Sequence, residues 1–172
     1  MDEETDQPGN DAWIEAFWED AHVHARVNPL GFYLGADPGK AMRPPAWAFG
    51  ADPETADELV ELVLDGTKTA TASALRDYGE EELPRTGNLS IILDGSGRPR
   101  VLIATTGVRV VPFGTVDEEH ARREGEGDLS LAHWREVHRA FFAETAAITG
   151  AEPEVTDETM VVLEEFEVVW QP

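Results

Sequence analysis

The chain predicts an α+β fold in which helices flank a mainly antiparallel sheet or barrel. Three observations carry that expectation. Capped amphipathic segments alternate irregularly with β-branched segments, in the order α, α, β, β, β, α, α, β. The middle strands are joined by a short turn, Asp94-Gly95-Ser96-Gly97, of the kind that makes antiparallel neighbours. The 172 residues suit one domain, and a hydrophobic content of 41% allows it a real core.

Met1 to Asn10 reads as a disordered acidic tail, and residues 11–172 as a single domain that starts with a helical extension. Asn10 or Asp11 caps a first helix to about Val27, with Trp13, Ile14, Phe17, Trp18 and Ala21 at helical spacing. Residues 28–46 are rich in Gly and Pro and read as an ordered loop. Asp52 and Pro53 are the N-cap and first residue of a second helix, Leu59, Val60, Val63 and Leu64 are its apolar face, and Gly66 is its stop. A strand over 67–73, an acidic loop over 74–88, a strand at Leu89–Leu93 and a long Val-rich strand at Arg100–Pro112 follow. Thr115-Val116-Asp117-Glu118 reads as a capping box for a short helix that ends near Gly125. Asp128 or Ser130 caps a longer helix with Leu131, Trp134, Val137, Phe141, Thr145 and Ile148 on its buried face and Gly150 at its end. The last strand, Thr159–Trp170, puts Phe166, Val168 and Trp170 on one face.

Charge and composition narrow the function. Thirteen Lys and Arg stand against 35 Asp and Glu, for a net charge of −22. That argues against nonspecific nucleic-acid binding and against duplex DNA as a partner, because phosphate contacts need clustered cations. The imbalance is uneven. Residues 66–110 hold six cations and five anions, so the remainder carries −23, and an anionic ligand could sit in this middle segment. Zero cysteines remove disulfide and thiolate chemistry. No apolar run is long enough for a membrane helix, and the polar N-terminus lacks a signal-peptide pattern, so the expected location is cytoplasmic with no membrane partner.

Gly66-Thr67-Lys68-Thr69-Ala70-Thr71-Ala72-Ser73 carries the chemistry. Lys68 is one of two lysines and lies among hydroxyls at a helix-to-strand turn. It is either a buried cation that activates a hydroxyl or a solvated lysine on a strand edge. Lys68 and Thr71 are an odd number of positions apart, so a regular strand would send them to opposite faces, and any cooperation requires an irregular backbone between them. No cofactor or metal is expected. His133 and His138 are about 140° apart on a helix, and His22 and His24 about 200°, so neither pair shares a face.

Gly66-x-Lys68-x-x-Thr71 after a helix resembles the G-x-K-x-x-T-x-R signature of the ASCH domain, a PUA-like β-barrel family linked to RNA. Arg85-Thr86-Gly87-Asn88 before a strand resembles the T-G-D segment of that family, and Val111-Pro112-Phe113 to Arg135 resembles its second half. The resemblance spans about residues 47–170, and the N-terminal helix resembles that of larger bacterial members. It implies an antiparallel PUA-like barrel. Small bacterial members are amidohydrolases that deacetylate N(4)-acetylcytidine, and their catalytic Lys, Thr and Glu fall on Lys68, Thr71 and Glu124. Another member resembles a metal-dependent ribonuclease acting on single-stranded RNA, and a non-catalytic RNA- or nucleotide-binding module is a third possibility. The expected ligand is thus a nucleoside or single-stranded RNA. Ser73 stands where the motif ends in arginine, which removes a fork for a phosphate or base edge. Ser73, Trp47, Phe49, Tyr78 and Arg85 are the expected substrate-binding residues, the aromatics as stacking or packing groups. In the amidase reading Thr71 attacks the acetyl carbonyl, a desolvated Lys68 serves as base, and Glu124 shuttles the proton to the leaving amine. Outside the resemblance, Thr71 is an ordinary strand residue and Glu124 one surface carboxylate among many.

Overall fold

A computed structural model describes residues 10–25 and 42–172. The expected disordered tail (apart from Asn10) and most of the expected Gly/Pro loop fall outside these residues. Helix α1 (Asn10–His24) packs by Ile14, Phe17, Trp18 and Ala21 on Ile91 and Leu102. Helix α2 (Pro53–Leu64) begins as expected: the Asp52 side chain accepts from the Thr55 backbone N–H, and Pro53 needs no donor at the first position. Val60 and Val63 bury against Ile92, Val101, Ile103 and Phe166. Ile91 and Ile92 are successive residues of one strand, so α1 and α2 cover opposite faces of the sheet.

The sheet comprises β1 (Ala46–Trp47), β2 (Ala70–Ala74), β3 (Leu89–Leu93), β4 (Pro99–Pro112) and β5 (Met160–Trp170), in the order β1-β3-β4-β5-β2. It is mixed and open, which corrects the barrel. β1 runs parallel to β3 and the other pairs are antiparallel. Closure fails at its edges. β1 is two residues long and β2 five, and no ladder joins them. A cavity lies between them instead.

Four local expectations change. The strand expected from residue 67 starts at Ala70, because the intervening residues finish α2 and bridge to another helix. The cap of α3 (Glu118–Glu124) is Asp117, whose carboxylate accepts from His120 N–H, and not Thr115. Helix α4 (Leu131–Thr149) is capped by Ser130, but its buried stripe is Trp134, His138, Phe142 and Ala146. The expected Val137 and Phe141 line the cavity, and Ile148 is exposed. Phe166 and Trp170 do not share a face: Phe166 packs under α2, while Trp170 meets Phe17 of α1 at 5.0 Å. The pairings Leu102–Trp170 and Ile103–Val168 leave Val169 as an extra residue, and such a bulge inverts the alternation.

Candidate functional site

The chain leaves α2 through Gly66 at φ 83°. Lys68 N–H then reaches back to the Leu62 carbonyl at 2.9 Å, and Thr69 N–H crosses to the Arg123 carbonyl of α3 at 2.7 Å. These bonds make the backbone at residues 67–69 irregular, as any cooperation between Lys68 and Thr71 would require. Gly125, at φ 73°, ends α3 against this turn. A β-carbon there would stand 2.6 Å from the Thr67 carbonyl oxygen, so only glycine permits the approach. Two helix ends thus pinch the lysine inward, and its side chain is 1% exposed. The solvated-edge alternative is excluded.

The ammonium of Lys68 meets two carboxylates. Nζ donates to Glu126 Oε1 at 2.7 Å and lies 3.6 Å from Glu124 Oε2. It also sits 5.1 Å from the centroid of the Phe49 ring, a cation–π contact. Glu124 is buried to the same degree as Lys68. Its Oε1 accepts from Trp134 Nε1 at 2.8 Å and His120 Nε2 at 2.7 Å. Its Oε2 faces His138 Nε2 at 3.1 Å and has no well-aligned hydrogen bond. His138 Nδ1 donates to the Trp134 carbonyl, which leaves Nε2 toward the carboxylate.

The titration of this cluster follows from its partners. Burial pushes the Glu124 carboxyl up, but His138, Lys68 and the hydrogen bond from His120 outweigh it and hold Glu124 well below the ordinary carboxylate range. Burial pushes His138 down, and the Glu124 charge reverses this, so His138 lies above an ordinary histidine. These partners favour the ionised form of Glu124, which suits it to anchor the Lys68 ammonium.

These groups open onto a cavity of about 1140 Å³. Lys68, Thr71 and Glu124 all line it, as do Ser73, Trp47, Phe49 and Tyr78. Thr71 makes no hydrogen bond to Lys68, whose donor contacts go to Glu124 and Glu126. Ser73 Oγ and Tyr78 Oη are hydrogen-bonded at 2.8 Å. Phe49 belongs to the core, 4% exposed, with Trp47 edge-on at 4.7 Å, so Trp47 is the aromatic nearer the rim. Arg85 does not line the cavity: its side chain is 72% exposed and lies 3.7 Å from Glu82. Arg109 is exposed on β4, also outside the cavity.

The cavity at the middle segment is acidic, which weighs against the anionic ligand expected there. Among the described residues seven acids, Asp52, Glu81, Glu82, Glu124, Glu126, Glu144 and Glu164, line the cavity alongside Lys68, Arg43 and His138. Tertiary folding brings acids from α4, β5 and the loops to a motif that is near-neutral in sequence. Among the described residues no three His, Asp or Glu side chains are grouped as a metal site, and no helix is long and apolar enough to cross a membrane.

Sequence reasoning gave no site role to His120, Glu126, Trp134, His138 or Glu164, although it placed Trp134 on the buried face of its helix. The signals for two pairs were present, since His120 and Glu124, like Trp134 and His138, are four apart and share a helix face.

A family model for the ASCH domain matches residues 45–170. A crystal structure of an ASCH domain from Lactobacillus crispatus JV V101 superposes with a TM-score of 0.77 at 29% identity, covering 95% of this chain and 98% of that one. A protein from Enterococcus faecalis V583, described under a DUF family model, gives 0.76 at 32% identity, covering 91% and 88%. No curated protein matches significantly.

Proposed function

We propose that this chain, which belongs to the ASCH domain family, hydrolyses an amide on an acylated nucleoside, with Thr71 as nucleophile. ASCH domains have a PUA-like fold with proposed RNA-related roles, and the amidase reading is the form of that role this cavity supports best. One observation carries it: Glu124, 56 residues from Lys68, lines the same cavity as Lys68 and Thr71, with the lysine buried against the glutamate.

In this reading Thr71 Oγ attacks the acyl carbonyl as Lys68 takes its proton. Lys68 must first pass a proton to Glu126, which accepts from it at 2.7 Å and is 20% exposed, a route to solvent. The tetrahedral intermediate collapses, the base amine leaves with a proton from Lys68, and water then releases the acid from acyl-Thr71. Glu124 orients Lys68 and stays charged. The acidic lining favours a free nucleoside over an RNA strand, since each phosphate would meet carboxylates.

The test is hydrolysis of N(4)-acetylcytidine by wild type, Lys68→Ala, Thr71→Ala and Glu124→Gln, with chelator present. Loss of turnover in the first two variants is expected, and a strong reduction in the third. Absence of wild-type turnover, or full activity of Lys68→Ala, rejects the reading. Chelator-sensitive cleavage of single-stranded RNA would support a ribonuclease, and binding without turnover a non-catalytic module.

A further inference from the structure

We infer that Glu164 and Thr105, beside the Ser73–Tyr78 pair, form a recognition subsite for an uncharged heterocycle that presents a hydrogen-bond donor next to an acceptor. The inference rests on the nucleoside reading above and names which face of the base is read, and by which groups.

Glu164 is directly opposite Thr71 in the β2–β5 ladder. Cross-strand partners project to the same face with β-carbons about 4.5–5.5 Å apart. Glu164 therefore stands next to the proposed nucleophile, and both line the cavity. Thr105 Oγ1 lies 2.5 Å from Glu164 Oε1, which fixes that oxygen and orients the carboxyl. The second oxygen has no partner of that kind among the described residues. Ser73 and Tyr78 border the same wall, their hydroxyls paired with each other.

The chemistry of the carboxyl selects the ligand. Burial pushes Glu164 up, the Thr105 hydrogen bond opposes this only in part, and no cation among the described residues offsets it. In its protonated form, which burial favours, this carboxyl offers an O–H donor and a C=O acceptor side by side. An aminopyrimidine or amide edge presents the complementary acceptor and donor. A phosphate has no donor and would add charge to an acidic cavity. A cationic amine would instead require Glu164 ionised, and that difference makes the idea testable.

The probes are cytidine, which cannot be hydrolysed as an amide, and N(4),N(4)-dimethylcytidine, which lacks the donor. Binding to wild type, Glu164→Gln and Glu164→Leu is measured by calorimetry, with thermal melting as the folding control. Gln keeps a donor and an acceptor without a charge, so its affinity for cytidine should stay within about 3-fold of wild type. Leu should weaken cytidine at least about 10-fold, since it leaves the base edge unpaired. The dimethyl analogue should bind weakly to all three. Equal weakening by Gln and Leu overturns the inference, because it would mean an ionised carboxylate is needed. So does unchanged affinity in Glu164→Leu, or no cytidine binding by wild type. Cytidine binding through Glu164 without hydrolysis of N(4)-acetylcytidine keeps the subsite and rejects the hydrolase. Hydrolysis that Glu164→Leu leaves intact does the reverse.

Discussion

Replacing Lys68 by methionine should cost stability out of proportion to the atoms removed. Methionine fills most of the same channel but leaves Glu124 without its lysine partner. At 3.6 Å and an effective dielectric near 20, the lost attraction is about 4–5 kcal/mol before desolvation is counted. Truncating one member of a buried pair generally costs about 3–5 kcal/mol, because the stranded charge cannot reach water. Glu124 keeps Trp134, His120 and His138, and Glu126 at 20% exposure can rehydrate, so the lower end applies, about 3 kcal/mol. For a chain of this size that is a fall of roughly 6–12 °C in melting temperature. The assay is urea unfolding at pH 7 of wild type, Lys68→Met, Glu124→Gln and the double variant. Removing both charges should recover part of the loss, with a coupling of about 1–3 kcal/mol. A cost below about 1 kcal/mol for Lys68→Met, or strict additivity in the cycle, would refute the claim that the pair is mutually dependent.

Three further outcomes follow from the same geometry. Gly125→Ala must hold a left-handed backbone, about 1–2 kcal/mol, and push back the Thr67 carbonyl; melting should show a larger loss than at Gly150, which has the same handedness and open space. His138, raised by Glu124, contributes stability that is full below its unfolded value of about 6.5 and lost as pH rises through its higher folded value. Wild type should therefore weaken from pH 6.5 upward, relative to a His138→Gln variant, in denaturant titrations. Ser73→Arg places a guanidinium diagonal to Glu164 across β2 and β5, within reach of a long side chain; it should lower the Glu164 pKa in a carboxyl NMR titration and weaken cytidine binding.

Much of the fold was legible because it is governed by local rules. Asp52-Pro53 starts α2, Gly66, Gly125 and Gly150 stop helices, and β3 falls on the expected residues. The barrel was not legible, since closure depends on how far β1 and β2 extend, and no local signal reports that. The face of α4 failed for a different reason. Apolar periodicity favoured Val137 and Phe141 over His138, a residue about 100° around the helix from Val137. His138 is buried because Glu124, on another helix, supplies its counter-charge. Glu164 was invisible for the same reason: only the sheet register puts it opposite Thr71.

The two glutamates of the cavity, Glu124 and Glu164, show how burial alone does not decide a carboxyl's role. Both are desolvated. Glu124 is surrounded by Lys68, His120, Trp134 and His138, so its charge is stabilised and its proton is lost. Glu164 has one hydroxyl partner, so its proton is retained more readily. A carboxyl held toward its ionised form and one pushed toward its protonated form thus line one cavity. The first can hold a cationic side chain in place. Glu164 is the one that stands opposite Thr71. If the reaction proceeds at Thr71, Lys68 is the group that moves the proton there, Glu124 sets the charge that keeps Lys68 in reach, and Glu164 reads the base beside it.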